Sequence, residues 1–447
     1  MDYAKAPLSR VIVATCMITC MSSIVTHTAH AQAGSVGAGA VGQPTQRQER
    51  PDERTPSARA AETYDPVGVP LGSFRLFPVL ELGEVYNDNI YAASNSIGKT
   101  ASFIQLVKPS LDLRSDWNNH MLNLFARGAF GFTAVNSTEN YQDFSLGADG
   151  RFDIQRDWNV YGGSSFSRVH EDRGTPNSVT SSFEPNKYNQ LAGNLGYYQQ
   201  FNRLSVRLDG RVDNYHFVNT GPGPAAGTIF NADRNRTELR EAARVGYEFS
   251  PGFQVWTRGS LNQRTYDNTI DSLGFTHNSS GYDVVGGLAV DLGGITSFEA
   301  FGGYIHQDYR DPRYPVIQGP VFGLTGYWNP IRELFLKPFV RRTIEDSALT
   351  GTSAYLSTAA GLDVDYRARP NIKVEGHFDY SIADYSMSTP NTASRYDQYV
   401  TFRAGVLYTP TREFFVGPQY QFVHRSSNAA NSDYDQNILM LRLGARL

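Results

Sequence analysis

Beyond Cys20 the chain, 447 residues long, contains no cysteine. Cys16 and Cys20 both lie within the first 31 residues, and neither is preceded by a lipoprotein acylation signal. The remainder of the chain can form neither a disulfide nor a thiolate metal site, a composition suited to crossing an oxidising compartment without mispairing. Long apolar runs are missing as well. After residue 31 nothing approaches the roughly 20 residues of a spanning helix, and 40% hydrophobic content with a mean hydropathy of -0.39 excludes a helical membrane bundle. Basic excess is absent too: the formal net charge is -4, which gives no electrostatic case for nucleic acid. Nor does the chain carry an H-E-x-x-H, a G-x-S-x-G or a phosphate-cradling glycine loop. A rim enzyme needs a nucleophile or paired acids with a base in reach, so catalysis is the weakest of the readings. His120, His170, His216, His277, His306, His377 and His424 are scattered without metal-ligand spacing. Asp88 and Asn89 fall far short of the oxygens calcium takes, and no metal or cofactor is expected.

The N-terminus reads as a secretory signal over residues 1–31, with Lys5 and Arg10 as a positive flank, a mostly apolar stretch over 11–25, and Ala29-His30-Ala31 as the cleavage site. Asp2, Lys5 and Arg10 sum to +1, so cleavage takes the net charge from -4 to -5. Residues 32–73 are rich in Gly, Ala, Gln, Pro, Arg and Glu, with almost no large apolar side chain before Tyr64. Such a stretch cannot bury enough surface to offset chain entropy, so it is expected to be a disordered periplasmic tail. It serves either as a spacer or as a docking arm for a periplasmic partner.

What the chain has in quantity is Tyr and Phe, 26 of each, and Gly, 41. That balance favours strands. In the final stretch, 438–447, Leu439, Leu441, Leu443, Ala445 and Leu447 fall on one side of a period-two ribbon, and Met440, Arg442, Gly444 and Arg446 on the other. An oily face opposed to a charged one, ending flush with the C-terminus, is the pattern of a closing stave with lipid on one side and a wet lumen on the other. From Arg75 onward the same alternation recurs, as in Leu204, Val206, Leu208 and Val212 against Arg207, Asp209, Arg211 and Asp213. Another case is Ile372, Val374, Phe378 and Tyr380 against Lys373, Glu375, His377 and Asp379.

Connections alternate in character. Short ones carry turn chemistry, among them Gln155-Arg156-Asp157, Phe201-Asn202-Arg203, Ser250-Pro251-Gly252, Gly293-Gly294, Arg369-Pro370-Asn371 and Thr409-Pro410-Thr411. Long polar ones occupy about 171–186, 219–235, 267–280, 346–353, 387–394 and 426–435. Short periplasmic turns against long outer loops predict an all-β fold: a transmembrane antiparallel β-barrel of about 18 strands, outer-membrane type, over 74–447, with both termini periplasmic. An internal echo supports it. Residues 327–338 recur at 407–418, each copy reading aromatic, turn, Arg-Glu, aromatic, as two interface girdles around a periplasmic turn would. Pro109, Pro338 and Pro418 fall inside strands, and bulges are expected there because a closed barrel has no free edge.

The polar faces form a candidate lumen ladder: Arg207, Asp209, Arg211 and Asp213 on one strand, Glu238, Arg240 and Arg244 on the next. Glu248, Arg258, Arg264, Arg341, Arg403, Arg442 and Arg446 continue it. Rows of arginine with interleaved carboxylates ease the passage of anionic solutes and hold sugar hydroxyls or uronates through paired contacts. They serve equally to pair with one another and stiffen a wet interior. Tyr161, Trp256, Tyr266 and Tyr399 on the same faces suit stacking on sugar rings, or belong to a girdle if the register is displaced by one.

Pro78-Val79-Leu80-Glu81-Leu82, then Tyr86-Asn87-Asp88-Asn89-Ile90-Tyr91, then Pro109-Ser110-Leu111-Asp112-Leu113 and the repeated turns together resemble the outer-membrane beta-barrel porin family often encoded beside exopolysaccharide synthesis genes. The resemblance spans about 75–447, departing from the usual ending in having Leu447 where an aromatic is commonest. It implies a channel in the cell outer membrane serving a saccharide pathway. Implied partners are outer-membrane lipids, the barrel-assembly machinery, saccharides and periplasmic export components, with no nucleic acid. The leading expectation is a passive porin-like channel for hydrophilic solutes. Its alternative is a structural or adhesive barrel with a closed lumen whose long loops bind an external partner.

Overall fold

The alternation resolves into staves that close on themselves. In this computed structural model the described residues are 64–447, apart from 177–183, 220–230, 273, 293–295, 348–351 and 386–393. The leader, its cleavage site, the tail up to residue 63 and the Gly293-Gly294 turn lie outside them. The chain forms β1 (Val69–Leu71), β2 (Phe74–Asn87), β3 (Ser102–Ser115), β4 (Met121–Thr133), β5 (Tyr141–Gln155) and β6 (Trp158–His170). Next come β7 (Lys187–Phe201), β8 (Leu204–Phe217), β9 (Arg236–Ser250), β10 (Phe253–Tyr266), β11 (Ser279–Asp291), β12 (Thr296–Tyr309) and β13 (Ile317–Ile331). The last are β14 (Leu334–Asp346), β15 (Ala354–Arg369), β16 (Ile372–Asp384), β17 (Tyr396–Tyr408), β18 (Phe414–Ser427) and β19 (Tyr434–Arg446).

Each long strand pairs antiparallel with its sequence neighbours, and β19 pairs with β2 from Ile438↔Asn87 to Arg446↔Val79. β2 to β19 therefore make a closed ring of 18 strands, so the final stretch is indeed the closing stave. Short turns such as 156–157, 202–203 and 251–252 share one rim with the start of β2 and the end of β19, and the longer connections share the other. This is the asymmetry of an outer-membrane barrel. Gly252 stands at φ 78 in one such turn, which L side chains rarely adopt.

The outer surface is apolar because every second residue must leave the wet side. Leu439, Leu441 and Leu443 are more than half exposed, while Met440 and Arg442 between them are buried. Outward aromatics gather toward both rims: Phe152, Phe201, Phe249 and Phe414 near the short turns, Tyr86, Phe103, Phe132 and Tyr304 near the long ones. These are the two girdles of a membrane barrel. The repeated 12-residue echo brackets the β13–β14 and β17–β18 turns on the short rim, two hairpins apart.

Two expectations need correction. The prolines cause no bulge. On either side of Pro109, Pro338 and Pro418 the register is unchanged, and each strand keeps its ladder on one side while pairings lapse locally on the other. A proline lacks a single donor, so one neighbour suffices to hold the strand. Glycine stands opposite two of them, with Pro109 Cγ 3.2 Å from where a Gly128 Cβ would lie and Pro338 Cγ 3.0 Å from that of Gly326. Register shifts occur instead beside short turns, as at Asp153/Gln155 and Arg367/Arg369. Second, the stretch expected to be tail acquires structure before Ser73. Val69–Leu71 turns back on the start of β2, and the Tyr64 carbonyl accepts a 2.7 Å bond from Arg446.

Candidate functional site: the lumen and the segments folded into it

Alternation on β8 and β9 sends Arg207, Asp209, Arg211 and Asp213, and Glu238, Arg240 and Arg244, to the inner face. Register then sets like against like. Arg207 lies opposite Arg244, Arg211 opposite Arg240, and Asp213 opposite Glu238. Like charges directly across a sheet repel, so each group finds its partner elsewhere. Arg207 pairs with Asp209 at 2.9 Å and donates to the Tyr161 hydroxyl at 2.7 Å; Arg211 pairs with Asp213 at 2.6 Å. Glu238 takes Arg236 at 2.8 Å. Arg244 reaches across to Glu299 of β12 through two 3.1 Å bonds, its guanidinium 3.9 Å from the centre of the Trp256 ring.

Charged pairs continue along the inner face. Arg258 bonds Asp283 at 3.1 Å, Arg442 bonds Glu375 at 3.0 Å, and Arg403 donates to Gln421 at 3.0 Å. Tyr161, Trp256, Tyr266 and Tyr399 all point inward and are buried. A second charged wall stands on β15 and β16, where Lys373 bridges Asp365 and Glu375 and His377 meets Asp363 at 2.7 Å. The sequence carried a signal for these pairings that its alternation alone did not yield. Two residues apart on a strand are neighbours on one face, and the cation-x-acid spacing recurs in Arg151-x-Asp153, Arg207-x-Asp209, Arg211-x-Asp213, Arg236-x-Glu238, Lys373-x-Glu375 and Arg395-x-Asp397.

Two inward segments had no sequence signal. Residues 171–176, after β6, run across the outer mouth. Glu171 is held by Arg234 through bonds of 3.0 and 2.6 Å and by Asn186 at 2.9 Å, while Arg173 donates to Glu139 at 3.1 Å. On the far side the Gly174 carbonyl accepts from Tyr434 at 3.4 Å and the Pro176 carbonyl from Tyr385 at 3.2 Å. Gly174 has φ 83 and a Cβ there would strike the Tyr434 hydroxyl, so close approach requires glycine.

The other segment is the end of the β14–β15 hairpin. Alternation fails there: Thr343, Ile344 and Glu345 are all buried, as are Thr352, Ser353, Ala354 and Tyr355. Burial of both faces means that residues 343–345 and 352–355 lie inside the ring. Tyr385 bridges the two segments: its hydroxyl donates to the Pro176 carbonyl, and its ring sits 4.9 Å from that of Tyr355.

The Tyr86–Tyr91 run proves to be a clasp on the closing seam. Asn89, fully buried, donates to the carbonyls of Ala93 and Asp435 at 2.9 and 3.2 Å, accepts from Ala93 N–H at 2.9 Å, and its own carbonyl takes Gln436. Asp88 accepts from the Asn437 backbone and side chain at 2.7 and 2.8 Å. Among the described residues no group of side chains could hold a metal ion.

Comparison with solved structures gives distant likenesses. OpdO of Pseudomonas aeruginosa is 14% identical, with a TM-score of 0.44 over 84% of this chain and 98% of that one. A BenF-like porin from Pseudomonas fluorescens Pf-5 is 9% identical, with a TM-score of 0.44 over 84% and 100%. OpdK of Pseudomonas aeruginosa, solved with vanillate, is 12% identical, with a TM-score of 0.41 over 83% and 99%. No curated protein matches. A family model matches residues 62–447, the whole barrel, and the chain belongs to that family, described as Putative beta-barrel porin 2.

Proposed function

We propose that the chain is a channel of the cell outer membrane for hydrophilic solutes, and that carboxylate-bearing saccharides are the class it favours. The observation that carries this reading is the inner wall of β6 to β10. There Arg207, Arg211, Arg240 and Arg244 share one polar face with the aromatic surfaces of Tyr161 and Trp256. Guanidinium groups bind carboxylates in a paired geometry, flat rings stack on sugar faces, and low-dielectric walls weaken screening within a pore. Membership of a porin family supports transport over catalysis. In this reading the barrel serves saccharide or exopolysaccharide export, is inserted by the barrel-assembly machinery, and presents its N-terminal segment to periplasmic export components.

Conductance of the purified barrel in planar bilayers, with saccharides of graded size and charge, tests it. Replacing Arg207, Arg211, Arg240 and Arg244 with Gln leaves Asp209, Asp213 and Glu299 without their cations, so selectivity should shift toward cations and uronate oligosaccharides should block less. Selectivity indifferent to the four changes would make the arginines structural. A barrel that never conducts, even with its inward segments displaced, would overturn the channel reading. The second reading, a closed lumen with loops displayed to an external partner, is favoured by one observation: residues 171–176 cross the outer mouth and are held on both sides.

A further inference from the structure

The aromatic girdle on the long-connection rim is broken over one sector of the outer wall. On β5 and β6 it is carried by Phe144 and Phe166, and on β11 and β12 by Tyr282 and Tyr304, all facing outward. Across β7 to β10, between them, the outward positions of that half hold no Phe, Tyr or Trp. Asn189, Asn214, Thr237 and Gln263 stand there instead. On the short rim the same strands keep outward aromatics, among them Phe201, Tyr247 and Phe249. Aromatic belts mark the level at which a barrel meets lipid headgroups, so in this sector the outer half of the wall meets something else.

Two charges flank the break. Glu241, in the outer half of β9, is exposed on the outward face between Gly210 of β8 and Leu261 of β10. Arg168, near the outer end of β6, is exposed on the same outward face between Phe144 and Asn189. Neither has a hydrogen bond or ion pair among the described residues. An ionised group on the lipid side raises the cost of the state that leaves it unpaired. Lipid does not suit both, because an anionic headgroup that would pair with Arg168 is repelled by Glu241. Between the two charges the wall is low: a Cβ added at outward Gly193 of β7 would meet nothing closer than 3.5 Å, and at Gly210 nothing closer than 3.9 Å. Small residues let a neighbouring wall approach the backbone.

We propose that the outer half of the wall over β6 to β9 is where copies of this chain meet, as a closed trimer in which Glu241 of each copy pairs with Arg168 of the next. The inference does not depend on the channel reading. Because the two charges lie at different places on the barrel, the contact is head-to-tail, and such a contact closes only if the angle between its halves fits. β6 and β9 are three strand intervals apart in a barrel of 18 strands, one sixth of the circumference. That is about 60°, the angle at which each member of a closed trimer meets its two neighbours. The difference in height between the two charges falls within the reach of a long arginine side chain, and away from water a guanidinium and a carboxylate pair strongly.

The chain beyond Cys20 has no cysteine, so thiols introduced at the two positions report on this contact alone. Arg168→Cys/Glu241→Cys, oxidised in isolated outer membranes, should give disulfide-linked species of two and three chains on a non-reducing gel. Either cysteine alone can link no more than two. The purified parent in detergent should have the protein mass of three chains by light scattering. Arg168→Glu or Glu241→Arg alone sets like charges against each other and should shift that mass to one chain, and Arg168→Glu/Glu241→Arg should return it to three. Heat-modifiable gel migration checks that each variant is folded. A one-chain parent without the cross-links overturns the trimer and leaves the sector to lipid. A three-chain mass that neither reversal changes overturns it as well, since the copies would then meet elsewhere.

Discussion

Leu208→Arg and Arg207→Val are adjacent changes on opposite faces of β8, and the barrel assigns them different costs for different reasons. Leu208 points outward, about half exposed, in mid-strand with Tyr197 and Ala243 beside it. An arginine at the lipid face near the midplane costs roughly 2 to 4 kcal/mol. On alternation alone Arg207→Val would be nearly neutral, because a lumen position tolerates many side chains. Its partners revise that. Asp209, with a side chain 10% exposed, would lose the cation 2.9 Å away. Breaking a buried pair from one side costs roughly 3 to 5 kcal/mol, and water in the lumen brings the value toward the lower end. The two costs then overlap in size, so magnitude does not separate them. Rescue does. Asp209→Asn removes the stranded charge, and the double variant Arg207→Val/Asp209→Asn should recover most of the loss, a coupling of about 1 to 3 kcal/mol. No change at residue 209 should rescue Leu208→Arg. Urea unfolding in lipid vesicles, followed by tryptophan fluorescence, measures the parent and each variant. A Leu208→Arg barrel as stable as the parent, or an Arg207→Val loss that Asp209→Asn leaves intact, would refute the facing of β8.

Sidedness can be read with single thiols: Ile97→Cys, on the long-connection rim and 70% exposed, should react with a membrane-impermeant maleimide on intact cells, and Glu333→Cys, in a short turn, only after permeabilisation. The reverse pattern would invert the orientation. Asn89→Ala removes two donated and one accepted hydrogen bond from the closing seam; at about 1 kcal/mol each the loss is roughly 2 to 4 kcal/mol, seen as a lower temperature at which the barrel loses its compact gel migration. In the outer connection over 310–316, the Arg313 guanidinium bonded to Asp311 holds that carboxyl well below the usual carboxylate range. Because the folded value is depressed, the contact stabilises the loop fully above about pH 4, the unfolded value, and is lost as pH falls through the folded one. Carboxyl NMR should find Asp311 still ionised at about pH 3, and Arg313→Gln should raise its titration point toward the ordinary range.

The wall of the barrel was legible in the chain alone. A strand buried on one side by lipid and on the other by water must alternate, and that local rule, applied to β19, β8 and β16, gave the faces, the strand count and the rim on which the turns lie. It also placed Arg207, Asp209, Arg211, Asp213, Glu238, Arg240 and Arg244 inward, since facing depends only on parity. It gave no account of their partners. Register set Arg207 against Arg244 and sent Arg244 over Trp256 to Glu299, a contact spanning 55 positions of sequence. Nor could alternation foresee how a closed ring accepts Pro109, Pro338 and Pro418, because the second neighbour that holds each strand is a tertiary fact. The inward segments were least legible of all. The turn at 171–176 reads as an ordinary polar loop, and the β14–β15 tip continues an ordinary strand. Only the closed ring supplies an interior for them to enter, with Tyr434, Tyr385, Trp256 and Val285 arriving from distant strands to receive them. A period-two pattern records which side of a sheet a residue faces. Where the chain leaves the sheet, the energy that decides its path comes from side chains brought together by closure, and no neighbouring residue encodes it.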